Sequence, residues 1–422
     1  MTRSIDATSG PSPGTSSGTS PGTSPGASPG QAGSTVFRTL LPLTLTVFIG
    51  FLTIGIQLPV LPLHVHRTLG MDELVVGLVI GSQFAAALLS RAWAGNFADL
   101  RGTHRAVRLG LALSASSGFV YLLSLAFLPS PSTSLWILVA GRLLLALGES
   151  LLVTGAIGWG IGLVGPQNAG KVMAWIGTAI YGAFAVGAPL GVALNASRGF
   201  VGIAAAILVI PVVAIGIVSR VAALPPLASR RTPFYSVLSA VSGPGLGLAL
   251  CSVGFGVITA FIALLFASKR WGDSSMAFTA FGVAFIGARI FFSHLPDKIG
   301  GAKVALVCVV IEAVGLLMIW QADSAAMAYL GTAITAFGYS LAFPGFGVEA
   351  VRRAPPQARS LAMGAYVAFL DLSLGIVSPA AGALAKAYTV DAVYLAGAVA
   401  VALSALVAFA LLVSKPQGAA RG

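Results

Sequence analysis

The sequence predicts an all-α membrane protein with twelve transmembrane helices in two pseudo-symmetric six-helix bundles. First, 57% of the residues are hydrophobic and only 9% are charged, which is too few charges to cover the surface of a soluble fold. Second, a chain of 422 residues has room for about a dozen spans of about 20 residues each. Third, one polar turn occurs twice at a fixed distance, which indicates two copies of one structural unit.

The chain starts with a tract rich in Ser, Gly, Pro and Thr, residues 1–34. Such a tract has almost no apolar side chains and cannot offset the entropy lost on ordering, so we expect a disordered tail. It also lacks the apolar core and the charged lead-in of a signal peptide.

Apolar runs after this tail predict the helices. The spans are 39–63, 74–96, 107–128, 135–158, 172–194, 200–219, 236–267, 276–295, 304–321, 326–349, 361–386 and 391–413. A polar connection, residues 220–234, contains three prolines and three arginines and separates six spans from six. We therefore predict an N-terminal bundle at 35–219, a central loop at 220–234, a C-terminal bundle at 235–414 and a tail at 415–422.

The positively charged residues are concentrated in alternate loops of the chain. A net charge of +12 could indicate a nucleic-acid partner. The Lys and Arg residues, however, lie mostly in alternate loops, as the positive-inside rule requires. We expect both termini and the central loop on the cytoplasmic side of the membrane, lipid as the surrounding partner, and no nucleic acid.

The repeated turn is the most specific motif. The segments 91–105, RAWAGNFADLRGTHR, and 289–303, RIFFSHLPDKIGGAK, carry matching residues at one offset (289 − 91 = 198). Each places a carboxylate at the predicted cytoplasmic end of a span, where basic residues or a helix N-terminus can pair with it. A solvated turn with an incidental acid is the alternative. We predict a cytoplasmic latch formed by Arg91, Gly95, Asp99, Gly102, Arg105, Arg289, Asp297, Gly300 and Lys303.

Ionisable residues inside the spans are candidate proton carriers, because a charge in mid-bilayer costs several kcal/mol. Asp371 lies near the middle of its span, and Arg142 and Glu149 are seven residues apart, on one face of a helix. We predict that Asp371, assisted by Glu149 and Arg142, couples transport to protons; static ion pairs or helix–helix hydrogen bonds are the alternative. For Glu312, a packing role is equally compatible with the sequence.

A second set of polar and aromatic residues in the spans is expected to line a central cavity. The two amides need partners in an apolar environment, from another helix, water or solute. The aromatic residues could instead pack or face lipid. The predicted cavity residues are Gln57, Gln83, Tyr181, Phe255 and Tyr339.

Several segments resemble one known family. GNFADLRGTHR is similar to the loop between spans 2 and 3 of major facilitator superfamily transporters, and Arg142 with Gly148 resembles that superfamily's span 4 motif. Within it, LTIGIQLPVLP and GLVIGSQFAAALLSR resemble the YhhS-like branch of bacterial inner-membrane transporters. Residues that resemble the span 5 motif associated with antiporters are Gly182, Gly187, Pro189 and Gly191.

The resemblance implies a secondary transporter that moves a small molecule by alternating access. Together with the buried acids, it favours proton-coupled efflux of a sugar, drug or small organic molecule by a monomer. An uncoupled facilitator or importer is the alternative within transport. A membrane-embedded enzyme would need clustered catalytic or metal-binding residues, whereas the four His are scattered. No cofactor and no metal are expected.

Overall fold

The apolar runs form long helices. The computed structural model describes residues 29–165, 168–223, 235–354 and 359–414, and this part of the chain contains no strand. The elements are α1 (Pro29–Gly55), α2 (Leu61–Leu63), a π-helix (His64–Thr68), α3 (Glu73–Arg101), α4 (Thr103–Ala126), α5 (Pro131–Val164), α6 (Ala169–Val218), α7 (Tyr235–Lys269), α8 (Ser275–Phe292), α9 (Leu295–Ile299), α10 (Gly301–Trp320), α11 (Ala325–Arg353), α12 (Arg359–Ala387) and α13 (Val390–Val413).

The helix count confirms the predicted all-α membrane fold. Eleven helices in the described residues are long and apolar enough to cross a membrane. One of them, α6, contains two predicted spans, which join where the backbone leaves the helical region at Gly199, with φ 62°. Glycine adopts a positive φ without the steric penalty of a Cβ atom. The twelve predicted spans therefore correspond to these eleven helices.

Most of the predicted tails and of the central loop cannot be compared with the structure. Helix α1 begins at Pro29, inside the predicted tail. Residues 1–28, most of the central loop (224–234) and the tail 415–422 lie outside the described residues. The domain boundaries therefore stay predictions.

The internal duplication is visible where neighbouring helices cross. A Cβ atom on Gly148 of α5 would lie 2.6 Å from the carbonyl oxygen of Gly110 on α4. In the second half, Gly338 of α11 packs in the same way against the carbonyl oxygen of Cys308 on α10. The offsets are 308 − 110 = 198 and 338 − 148 = 190. Because lipid provides no hydrophobic drive between helices, such close backbone approach supplies the packing energy.

Two equivalent helix pairs join the halves, α3 with α12 and α6 with α8. Small residues bring these helices together. Gly77 on α3 packs against the backbone of Ser378, and Gly282 on α8 packs against Ala185. We call the face where α3 begins the outer face and the face where it ends the inner face, following the predicted orientation.

Candidate functional site

An ion pair joins the two halves near the middle of the α3–α12 interface. Arg91 Nη2 lies 2.5 Å from Asp371 Oδ2, and Arg91 Nε donates a 2.6 Å hydrogen bond to the same oxygen. The Asp371 side chain is 7% exposed and that of Arg91 25%. Both residues lie just to the inner side of the middle of their helices. Asp371, which we predicted to carry a proton, is thus paired with Arg91, which we had assigned to the latch.

Glu149 and Arg142 occupy separate hydrogen-bond networks. Gln83 Nε2 donates a 2.7 Å hydrogen bond to Glu149 Oε2. Arg142 Nη1 donates to Gln57 Oε1 at 2.9 Å, and its Nη2 donates to the Ile80 carbonyl at 3.3 Å. No ion pair joins the two residues in the described chain, so Glu149 is held by an amide and Arg142 by an amide and a backbone carbonyl.

Arg142 borders a small cavity between the halves. Its volume is about 10 Å³, close to the minimum for one water molecule. Thr259, on α7 of the second half, also lines it. The lining residues are Gln57, Leu58, Leu61, Pro62, Ile80, Arg142 and Thr259.

An aromatic cluster fills the centre of the molecule and draws on both halves. Tyr181 of α6 stacks on Phe285 of α8 with ring centroids 3.7 Å apart. Phe255 of α7 lies parallel to Tyr339 of α11 at 5.7 Å. The structure therefore brings together three predicted cavity residues. The aromatic cluster consists of Tyr181, Phe184, Phe255, Phe281, Phe285 and Tyr339.

Sequence reasoning missed part of this cluster. Phe281 and Phe285 were not proposed, although they and Arg289 are spaced four residues apart, which places them on one face of α8. The Arg289 guanidinium lies 4.7 Å from the centroid of the Phe285 ring. Arg289 has no ion pair among the described side chains, and its buried Nε has no hydrogen-bond partner there.

The two inner-face turns have the same backbone geometry. Gly102 has φ 95° and Gly300 φ 100°, a region that favours glycine. Asp99 is exposed, and the ion pairs of the described residues do not include it. A Cβ on Gly95 would meet no atom within 4 Å. The side chain of Asp297 lies outside the described part, so the latch stays a prediction.

The predicted span 5 motif lies against the break after α1. A Cβ on Gly187 would lie 2.9 Å from the Gly55 backbone, and Gly191 packs directly on the Ile56 carbonyl oxygen. Around Gly182 there is more room, because the nearest atom to an added Cβ is a ring carbon of Phe48 at 3.6 Å. Pro189 lies inside α6 between these glycines. The motif lets α6 approach the broken first span.

A second ion pair joins the halves at the outer face. Lys386 Nζ, near the end of α12, lies 2.7 Å from Asp72 Oδ2 at the start of α3. The hydrogen bond from Lys386 is the main reason that the pKa of Asp72 falls below its ordinary value. Sequence reasoning did not find this pair, whose members are 314 residues apart. A third pair, Lys269 with Asp391 at 2.9 Å, lies within the second half.

Comparison with known proteins identifies this architecture. The family model of the Major Facilitator Superfamily matches residues 43–272 and 245–421. The chain belongs to this superfamily. It is therefore a multi-pass membrane transporter, as the sequence motifs predicted. An uncharacterised MFS-type transporter of Salmonella typhimurium is 42% identical over 374 residues, which cover 89% of this chain and 96% of that protein. One from Burkholderia mallei is 45% identical over 357 residues, 84% of this chain and 87% of the relative.

Solved structures show the same fold at low sequence identity. The crystal structure of a D-xylose–proton symporter has a TM-score of 0.75 at 15% identity and covers 90% of this chain and 99% of that one. The inward-open xylose transporter XylE from E. coli has a TM-score of 0.73 at 15% identity, with 91% and 98% covered. The human organic anion transporter MFSD10 has a TM-score of 0.67 at 16% identity, with 88% and 99% covered.

Proposed function

We propose that this major facilitator protein is a proton-coupled secondary transporter of the bacterial cytoplasmic membrane that exports a small organic molecule. The ion pair between Arg91 and Asp371 is the observation that supports coupling. It is formed by two residues 280 positions apart, on helices of opposite halves. A proton on Asp371 would remove the negative charge of this pair and weaken one connection between the halves.

The mechanism follows from the position of this pair. In alternating access, the halves separate at one face while they stay together at the other. The pair lies on the inner side of the interface, whereas Asp72 and Lys386 close the outer face. Protonation of Asp371 would favour opening toward the inner face, and loss of the proton would favour closing it.

The remaining predicted residues take supporting roles in this proposal. Glu149, held by Gln83, is a second acid that could exchange a proton with the central region. Arg142 and Gln57 would keep one small polar space between the halves open to water. The latch around Asp99 would form when the inner face is closed.

Export is proposed from the span 5 motif and its resemblance to antiporters. Proton coupling is compatible with the fold, since one structural relative is described as a D-xylose–proton symporter. The alternative is an uncoupled facilitator or importer of the same fold. It predicts that an imposed pH gradient alone drives no accumulation of solute.

Proteoliposomes that enclose a pH-sensitive dye would test coupling. Candidate solutes are added to a panel of vesicles, and we expect at least one to cause proton movement with the wild-type protein. Asp371→Asn should abolish this proton movement. Asp391→Asn, which removes an acid from a pair within one half, is the matched control and should retain it. Solute-driven proton movement that persists in Asp371→Asn would reject the coupling role of this residue.

A further inference from the structure

Arg289 is the counterpart of Arg91 in the second copy of the repeat, since 289 − 91 = 198. The two arginines lie on equivalent helices, α3 and α8, and each helix contacts the other half, at α12 and α6 respectively. In the first case the opposite helix supplies Asp371. In the second it supplies no acid, because α6 contains no Asp or Glu between Ala169 and Val218.

The guanidinium of Arg289 nevertheless reaches α6. Its Nη1 lies 2.9 Å from the position that a Cβ atom of Gly177 would occupy. Arg289 lies three residues before the end of α8 at Phe292, and the short helix α9 separates α8 from the inner-face turn at Gly300. Arg142, another arginine inside the spans, differs from Arg289 because it has polar partners in the chain. It donates hydrogen bonds to Gln57 and to the Ile80 carbonyl.

Arg289 cannot avoid the cost of an unpaired charge by losing its proton, because the guanidinium group stays protonated in proteins. A charge inside a membrane-spanning helix is expensive unless it is paired or faces a polar cavity. The described side chains offer Arg289 the faces of Phe285 and Phe343, at 4.7 and 5.9 Å from the ring centroids, but no carboxylate. A bound oxyanion would supply the counter-charge that the described side chains do not provide.

The surroundings of Arg289 indicate the shape of that molecule. Phe281, Phe285 and Arg289 follow one another at intervals of four residues along one face of α8. The first two belong to the central aromatic cluster, together with Tyr181 of α6. A ligand that matches this face has a planar apolar body and one terminal oxyanion.

We propose that the transported molecule is an organic anion whose carboxylate or similar oxyanion pairs with Arg289 in the way that Asp371 pairs with Arg91. This inference rests on the proposed transport function and names its substrate class. Aromatic carboxylates are the simplest members of that class.

Calorimetric binding to the purified protein in an uncharged detergent tests the proposal. The probes are benzoate, benzamide and benzylamine, which share a ring and differ in charge. A charge-assisted hydrogen bond in a partly buried site predicts that benzoate binds at least about tenfold more tightly than the other two. Preference for benzamide or benzylamine, or no benzoate binding at millimolar concentrations, would overturn the proposal.

Substitutions of Gly177 provide the matched test. Gly177→Asp places an acid beside Arg289 and should weaken benzoate binding at least about tenfold, because the chain then supplies its own counter-charge. Gly177→Asn has nearly the same size without the charge and should retain binding within about threefold. Arg289→Gln should also lose benzoate binding, and it keeps the test informative where Gly177→Asp does not fold. Equal binding by all three variants and the wild type would contradict the assignment.

The same oxyanion chemistry could come from a lipid headgroup, and nanodiscs separate the two sources. Benzoate binding is compared in phosphatidylcholine discs with and without phosphatidylglycerol. Unchanged binding supports a soluble substrate, and displacement by phosphatidylglycerol assigns Arg289 to the headgroup and overturns the proposal.

The binding test is independent of the coupling test, because binding needs no pH gradient. A protein that binds benzoate without coupled proton movement therefore loses only the proposed coupling, and one that couples protons but prefers benzylamine loses only the anion inference.

Discussion

Asp371→Asn is expected to shift the protein toward opening at the inner face. In the wild type, Asp371 accepts two contacts from Arg91 across the interface, at 2.5 and 2.6 Å. The variant has nearly the same shape but carries no charge, so it mimics the protonated acid. The second ion pair between the halves, Asp72 with Lys386 at the outer face, is unchanged. The balance between the two faces should therefore move in one direction only.

The size of the shift follows from the burial of the pair. Loss of one partner costs about 3–5 kcal/mol in a fully buried pair and about 0–1 kcal/mol in an exposed one. Here the side chains are 7% and 25% exposed, and the amide keeps one acceptor for Arg91. We expect about 2 kcal/mol, which is roughly a 30-fold change in the equilibrium between conformations.

Pulsed electron paramagnetic resonance measures this equilibrium without knowledge of the substrate. Spin labels at Leu100→Cys and Ile299→Cys report the separation of the halves at the inner face, where the native side chains are 66% and 53% exposed. The two natural cysteines are buried and are expected to remain unlabelled. Asp371→Asn should populate longer distances, and acidification of the wild type should do the same.

Asp391→Asn is the control, because its partner Lys269 belongs to the same half. It should leave the distance distribution unchanged. If Asp371→Asn gave the wild-type distribution at every pH, the ion pair would not govern the inner face and the coupling argument would fail.

Three further predictions concern other parts of the molecule. Asp72→Asn should shift outer-face label distances to longer values. The folded-state pKa of Asp72 is depressed. Its pair with Lys386 therefore stabilises the closed outer face above the ordinary pKa of an aspartate, about 4, and this stabilisation is lost only as the pH falls below that value. Opening of the outer face in the wild type already near neutral pH would contradict this prediction. Gly148→Ala should destabilise the protein by about 1–3 kcal/mol through overpacking, whereas Gly182→Ala, with its nearest neighbour at 3.6 Å, should be tolerated in a thermal unfolding assay. Glu312 is fully buried and neither carboxylate oxygen has a hydrogen-bond partner in the described chain. Glu312→Gln keeps the shape of this side chain and should leave thermal stability unchanged.

Features that depend on local pattern were predictable from the sequence. Apolar runs located the helices, because the bilayer fixes their length and composition. The repeat at an offset of 198 located two turns, whose glycines have the same positive φ at Gly102 and Gly300. The predicted break between the spans 172–194 and 200–219 corresponds to the kink of α6 at Gly199, where the backbone leaves the helical region.

The partners of the buried charges were not predictable in this way. Spacing along one helix suggested that Arg142 and Glu149 act together, since residues seven apart share a face. A shared face does not fix the rotamer, and each side chain instead pairs with an amide from a neighbouring segment, Gln57 in the turn after α1 or Gln83 on α3. Pairing across the interface also depends on how the two halves dock, and one sequence alone carries no direct record of that.

The duplication becomes most informative where its two copies differ. The duplication gives each half an arginine at the same position of the repeat, Arg91 and Arg289, on a helix that contacts the opposite half. Only one of them has an acid opposite it. An arginine that pairs with an acid of the chain can respond to protons, because the acid can be neutralised. An arginine opposite a helix without acids can instead respond to an anion that binds. The two halves thus offer separate sites for the two ligands that a coupled transporter must sense, and the same rocking motion connects both.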